Sequence, residues 1–378
     1  MYDVIVTGAG PSGSTCARLC AQQGLKTLLL DQDAFPRSKP CAGAVSVRAL
    51  SHLDFPLPET IIEKECLAVR VHRNGRSVTA RQNTRFAVVV SRKNFDSVLA
   101  EKAVESGAVF QASEQVVAVH DRDTHVEVST KRAVHEARFL VGADGVYSRV
   151  ARTLRPPLEK SELALALVSQ VPADDQEIDG RLDQTLDLYF GIAPLGYGWL
   201  FPHRGHFSAG IAGRASEFSR PKEALREFSQ ELNIESTDIR GHFIPLGGIE
   251  RPVARGRVLL TGDAAGFADP FHGEGILYAI LSGKLAAQAI AGAAADEMHP
   301  EAASSRYRRD AESLIRRQLR VAFRLAALVD KFPRLSMRMF FDHPEALQRY
   351  LDIPSGKMDY LQFQRWIIAR LPSLLVSF

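Results

Sequence analysis

Apolar and polar positions along this chain predict alternating strands and helices. Tyr2–Thr7 is a short apolar run, residues 14–23 carry helical periodicity, Gly24 closes that helix, and residues 25–30 form a second apolar run ending at Asp31. Residues 66–90 hold two apolar stretches, LAVRVHR and FAVVVSR, around the turn signal Asn74-Gly75, and read as a hairpin. A helix is expected over 93–107 with Phe95, Leu99 and Val104 on one side, followed by three strand-like runs, VVAVHD, VEVST and ARFLVGADG. Residues 163–213 are strand-rich and aromatic, 221–232 read as a helix, and 257–260 as a buried strand. A long apolar helix follows over 275–295, and the chain beyond residue 300 is helical, basic and amphipathic. No internal repeat or low-complexity linker separates these segments, so two domains are expected to interleave.

The first thirty-three residues set the chemistry. Gly8-Ala9-Gly10-Pro11-Ser12-Gly13 joins strand to helix with the spacing of a dinucleotide-binding βαβ unit. Gly8 permits the turn, Gly10 lets the backbone approach a pyrophosphate, and Gly13 allows close strand–helix packing. The phosphate charge would rest on free N–H groups at the helix start. Asp31, ahead of Asp33, is placed to accept hydrogen bonds from ribose hydroxyls.

Composition narrows the class. A chain of 378 residues, 46% hydrophobic and 24% charged, with a net charge of +3, reads as globular and gives no argument for nucleic acid. The first strand begins at once, leaving no room for a leader, and no apolar run is seen that would reach the ~20 residues needed to span a bilayer. Four cysteines, Cys16, Cys20, Cys41 and Cys66, make no disulfide framework and point to a reducing, cytoplasmic setting. Cys16 and Cys20 share a helix face and read as core. With no Cys-x-x-Cys and no histidine cluster, no metal site is expected.

Three turn motifs, GAGPSG at 8, GADGVYSRV at 142 and GDAAGFADPFHGEG at 262, sit at the ends of apolar strands. With Arg92 and Asp96 in SRKNFDSVL they resemble the FAD-binding signature of the flavoprotein hydroxylase-like superfamily over roughly residues 1–300. The resemblance implies an α/β fold: a Rossmann-like FAD-binding domain (1–65, 92–160 and 255–300) interleaved with an antiparallel-sheet substrate domain (66–91 and 161–254), plus a C-terminal helical region (301–378). It implies that Asp263 hydrogen-bonds the ribityl or ribose region of FAD. Asp144 and Gly145 shape a turn near it, and Arg92 reaches the cofactor from its helix start. Pro270, Gly275 and Ile276 place backbone N–H groups and a helix N-terminus beside the flavin, where a positive helix end favours the anionic reduced ring.

Pro194-Leu195-Gly196-Tyr197-Gly198-Trp199-Leu200-Phe201-Pro202 is similar to the P-x-x-Y-x-W-x-F-P motif of the geranylgeranyl reductase family. Phe35-Pro36-Arg37-Ser38-Lys39-Pro40-Cys41-Ala42-Gly43 is similar to that family's F-P-R-x-K-x-C-G-G segment, and brings Arg37 to the cofactor and Cys41 near the flavin. On a strand Tyr197, Trp199 and Phe201 point to one face, either as core aromatics or as the wall of an apolar slot. Two departures, Ala42-Gly43 for the double glycine and Gly210-Ile211-Ala212-Gly213 for a Gly-x-Gly, remove no reactive side chain and bear on substrate identity.

The resemblance implies an FAD-dependent reductase that saturates isolated double bonds of a polyprenyl lipid by hydride transfer, with Cys41, Tyr197 and Trp199 at the reaction site. The external electron donor is left open by the residues, with NADPH or a reduced ferredoxin acting as redox partner the two candidates. An aromatic monooxygenase or halogenase on the same fold is the alternative, disfavoured by the YxWxFP and cysteine segments. A flavin-binding protein without turnover has no positive support. The C-terminal run from Gln362 to Phe378 is apolar-rich and is expected either to pack on the domain or to lie at a membrane interface with Arg365 and Arg370 toward headgroups.

Overall fold

The computed structural model describes residues 1–295 and 299–376, with side chains as far as Arg370. The chain divides into two compact units: Met1–Lys39, Arg92–Glu159 and Pro245–Leu319 in the first, and Pro40–Ser91, Lys160–Ile244 and the chain from Arg320 on in the second. Residues 40–65 and 320 onward thus cluster with the sheet-rich unit.

The first unit is built on an eight-stranded sheet whose central strands are parallel. Tyr2–Thr7 lies between Thr27–Leu30 and Val134–Gly142, and Val258–Leu260 lies beyond the latter. Register sets Thr7 opposite both Leu30 and Gly142, and Gly142 opposite Leu260. The three motif turns therefore leave the same end of one sheet, the carboxyl end of its strands, where doubly wound sheets bind ligands. The strands read as unbroken apolar runs because both faces are covered.

The helix Ile276–Ala295 explains one departure from expectation. Its 20 residues, with a mean hydropathy of 1.4, are long and apolar enough to cross a membrane by composition, yet 72% of that stretch is buried. It packs on the first helix, Pro11–Gln22, so closely that an ideal Cβ on Gly283 would lie 2.2 Å from the Ser12 carbonyl oxygen. A helix apolar all round is one buried on all sides. Cys16 and Cys20 are fully buried in the same unit.

The second unit carries a seven-stranded sheet in the order Arg240–Pro245, Leu163–Pro172, His206–Arg214, Tyr197–Pro202, Thr185–Phe190, Ala68–Arg73, Arg76–Arg81. Asn74 and Gly75 take positive φ, 48° and 72°, as a tight hairpin turn requires. The returning strand is Arg76–Arg81, whose polar sequence gives little signal. The stretch expected to return, Ala87–Val90, instead pairs with Ala44–Ser46 and Ile62–Cys66 in a separate three-stranded sheet. In the first unit, Phe95 and Leu99 of the helix Arg92–Glu105 are buried while Val104 is 48% exposed. Nine residues from Phe95 is half a turn out of phase, and Ala100 and Ala103 take the inner positions instead.

In the C-terminal helix Tyr360–Val376, Tyr360 and Phe363 are fully buried and Ile368 is 57% exposed. Arg365 is exposed. Arg370 is paired with Glu345 at 2.9 Å and stacked over Trp366 at 4.5 Å. Ser377 and Phe378, which complete the expected run, lie outside the described residues.

Candidate active site

Each cofactor residue read from the sequence lies in the first unit. Gly8 has φ +94°, and an ideal Cβ there would lie 2.3 Å from the Ala143 oxygen. An ideal Cβ on Gly13 would lie 1.8 Å from the Gly8 oxygen, so this glycine permits close strand–helix packing. At Gly10 the ideal Cβ would meet nothing nearer than Arg37 Nη2, at 3.4 Å. Gly10 is the open glycine, with the Arg37 guanidinium beside it. The helix behind begins at Pro11 with no side-chain cap, leaving backbone donors at its start.

Asp31 closes this turn. Its carboxylate accepts from Ala9 N at 2.7 Å and Asp33 N at 2.9 Å, with Arg37 Nε 3.7 Å away. Burial pushes this carboxyl above its ordinary range, against the pull of those hydrogen bonds and of Arg37. Arg92 does not reach out freely from its helix start. It makes a bidentate pair with Asp96, two contacts of 2.8 Å, and Arg37 Nη2 adds a third at 3.0 Å. Asp96 is completely buried and holds both guanidinium groups in place.

Asp144 is committed to its own turn. It accepts from the Ser148 hydroxyl and from the backbone N–H groups of Arg149 and Val150, and so caps the 3-10 turn Val150–Thr153. Burial nevertheless pushes its carboxyl upward. Gly145 takes φ +78° with open space around it. Asp263 lies in the first turn of Gly262–Ala265, 3.3 Å from Lys39 Nζ, and an ideal Cβ on Gly275 would sit 3.8 Å from its carboxylate. Gly275 precedes Ile276, the first residue of the long buried helix, so a carboxylate and a helix N-terminus converge there. Pro270 lies in a loop held by Asp269, which accepts from Phe271 N at 2.7 Å and His272 N at 3.0 Å.

These residues fit FAD. The Gly10 approach is open, the helix start is uncapped, and Thr261 Oγ1 is buried with no partner among the described residues just before Asp263. A dinucleotide bound there would find donors at the helix start and a carboxylate at Asp263.

Cys41, Tyr197 and Trp199 lie in the second unit. Tyr197, Trp199 and Phe201 oppose Ala212, Gly210 and Ser208 across the neighbouring strand. Trp199 Nε1 donates to the Ser208 hydroxyl at 3.3 Å, and its ring covers Gly210 where an ideal Cβ would lie 2.2 Å from Cζ2. The Tyr197 and Trp199 rings meet edge to face at 6.4 Å. The alternate residues Leu200, Phe207, Ala209 and Ile211 form the unit's apolar core with Leu225 and Phe228. The tyrosine and tryptophan thus stand on the face opposite that core. Cys41 is partly exposed whereas Cys16, Cys20 and Cys66 are buried. Three contacting residues were not singled out from sequence: Lys39 as the partner of Asp263, and Glu63 and His203 around the turn 41–43. Lys39 stands inside the quoted F-P-R-x-K-x-C-G-G segment and His203 directly follows the Y-x-W-x-F-P motif, whereas nothing local marks Glu63.

A family model described as an FAD binding domain matches residues 1–232. With the sheet-end turns above, this makes the protein an FAD-dependent oxidoreductase. A geranylgeranyl diphosphate reductase of Rhodobacter capsulatus is 33% identical over 304 residues, 76% of this chain and 74% of the relative. A digeranylgeranylglycerophospholipid reductase of Methanothrix thermoacetophila is 32% identical over 312 residues, covering 77% and 78%. The crystal structure of a geranylgeranyl bacteriochlorophyll reductase-like protein from Thermoplasma acidophilum shares the fold at a TM-score of 0.82 and 22% identity, over 100% of this chain and 98% of that one. The chain belongs to the geranylgeranyl reductase family of FAD-dependent oxidoreductases, enzymes acting on CH–CH groups.

Proposed function

We propose that this protein saturates isolated double bonds of a polyprenyl lipid, with reduced FAD as the hydride source. The observation that carries this reading is the aromatic shelf of Tyr197 and Trp199, set over the small residues Gly210 and Ala212 on the sheet face opposite the packed core. An unactivated alkene offers no polar handle, so the protein must work by holding an apolar chain in one orientation. Flat rings above a floor of small side chains suit that task.

Gly8, Gly10, Gly13 and the helix start hold the pyrophosphate in this reading, and Asp31 and Arg37 the adjoining ribose and phosphate. Arg92 acts through Asp96 by fixing Arg37, a positioning role. Asp144 and Gly145 keep the second turn in shape. Asp263, Pro270, Gly275 and Ile276 hold the ribityl and ring end. FAD, when bound and reduced by NADPH or a reduced ferredoxin, supplies the hydride. Cys41 delivers the accompanying proton. The decisive experiment is anaerobic incubation of the dithionite-reduced protein with a geranylgeranyl-bearing lipid, followed by mass spectrometry. A gain of two hydrogens per bond supports the reading, and flavin that stays reduced with unaltered lipid overturns it.

Trp199→Phe and Tyr197→Phe are each expected to keep flavin and the folded state while slowing reduction or changing how many bonds are saturated. Identical product distributions in both variants would return these residues to a packing role.

We further propose a peripheral membrane contact, since a polyprenyl substrate must be drawn from a bilayer or a carrier. Exposed Leu328, Phe332, Leu335 and Ile368 support it, together with exposed Arg324, Lys331, Arg334 and Arg365. Exposed apolar and basic residues on these helices suit an anionic lipid surface. The protein is expected to co-sediment with anionic vesicles and to release at high salt, and Phe332→Ser or Ile368→Ser to weaken binding several-fold. Binding unchanged in both variants would remove this surface. Because Tyr360 and Phe363 are core residues, removing the last helix is expected to destabilise the fold and would not isolate the contact.

A further inference from the structure

His203, just past the strand Tyr197–Pro202, is 3% exposed and bridges two acceptors. Its Nδ1 lies 2.5 Å from Glu63 Oε2, and its Nε2 lies 3.0 Å from the carbonyl oxygen of Ala42. A carbonyl only accepts, so the nitrogen facing it must carry a hydrogen. An ionised carboxylate only accepts as well, so the other nitrogen must carry one too. The ring that satisfies both is the imidazolium.

We infer that His203 and Glu63 are a positioning pair, a charged imidazolium and a carboxylate, that clamps the turn 41–43 and thereby fixes the Cys41 thiol. The turn is held from both sides. Val90 N donates to the Gly43 oxygen at 3.0 Å, while an ideal Cβ on Gly43 would lie 2.6 Å from both His203 Cε1 and the Val90 oxygen. With φ at +84°, Gly43 is confined between ring and strand, and no side chain fits there. Gly43 N then donates to Cys41 Sγ at 3.4 Å, which ties the sulfur to the clamped backbone.

The surroundings favour the charged pair. Burial pushes the Glu63 carboxyl up, but the hydrogen bond and charge of His203, with His206 and the Arg204 backbone, bring it below its ordinary range. His206 stacks on His203 at 4.5 Å, and its Nε2 is buried with no partner among the described residues. Burial and the neighbouring His203 lower the pKa of His206. The groups around the clamp are therefore Glu63, His206, Arg204 and Cys41. A depressed carboxyl stabilises the fold above its unfolded pKa, and that contribution fades as pH falls through the folded value.

The functional weight of the clamp rests on the reading of Cys41 as a reaction-site residue, and the two are tested apart. Alkylation by iodoacetamide reports on Cys41, because Cys16, Cys20 and Cys66 are fully buried. In flavin-free and flavin-loaded protein alike, His203→Gln and Glu63→Gln are expected to speed labelling on the order of 10-fold, the worth of a charge-assisted hydrogen bond. The pH profile of wild-type labelling should differ from that of His203→Gln. Nitrogen NMR of the wild-type ring should show both positions protonated at neutral pH, a reading that stands even if a variant fails to fold. A neutral ring, or unchanged labelling rates and pH profiles in folded variants, overturns the proposal. Turnover by Cys41→Ser tests the reaction-site reading and leaves the clamp untouched.

Discussion

Gly10→Val is expected to give a folded protein that purifies without flavin. The backbone at Gly10 is extended, with φ −77° and ψ −174°, so a side chain there causes no strain. An added Cβ would meet nothing nearer than one end of the flexible Arg37 side chain, at 3.4 Å. The branches of valine would instead occupy the path by which a pyrophosphate approaches the turn, and bound flavin should fall by at least ~10-fold. Gly13→Ala supplies the contrast. Its Cβ would lie 1.8 Å from a backbone oxygen that cannot move away cheaply, so that variant should lose the fold along with the flavin. The ratio of flavin to protein absorbance and the melting temperature separate the two. A Gly10→Val protein with wild-type flavin content would falsify the assignment of this turn to the cofactor.

The second large effect is on stability. Asp96→Ala removes the carboxylate that receives both contacts from Arg92 and one from Arg37, with no exposure of its own. Buried Arg92 and half-buried Arg37 would then lose their shared carboxylate, while Asp31 stays 3.7 Å from Arg37. Breaking a buried pair from one side costs about 3–5 kcal/mol because the surviving charge stays desolvated. The urea midpoint should fall accordingly with an unchanged slope, and Asp96→Asn, which keeps an accepting oxygen, should lose less. A shift within ~0.5 kcal/mol, the scale of an exposed substitution, would mean that the arginines find other partners.

The first unit was legible because its signals are local. The strand, glycine turn, helix and acid of residues 1–31 lie within one stretch, and each glycine type answers a steric demand at its own position. The same holds for Tyr197 and Trp199, whose shared face follows from strand period alone. Partner choice was not legible. The apolar run 87–90 looked like the return of the Asn74-Gly75 hairpin, but a polar edge strand, Arg76–Arg81, fills that place. Edge strands carry few apolar residues, so their pairing leaves little trace in hydrophobic pattern. The ion pairs were hidden for a related reason. Glu63 and His203 are separated by 140 positions, and only the three-dimensional fold sets one ring nitrogen against that carboxylate. Arg92 kept its expected place at a helix start, and its own helix supplies a partner, Asp96, four residues on, that hydrophobic pattern does not reveal.

The register of the first sheet also governs how the protein is made. Thr7 pairs beside Gly142, and Gly142 beside Leu260, so the sheet end that gathers the three motif turns is unfinished until residue 260 has left the ribosome. Until then Leu140–Gly142, the end of the nascent strand, presents an apolar edge with its outer neighbour missing, the kind of surface that aggregates or recruits chaperones. Parallel pairing across such long stretches of chain is slow. Flavin capture is therefore a late event in biosynthesis, and chains truncated before Val258 should emerge apoprotein and aggregation-prone, whatever cofactor supply the cell maintains.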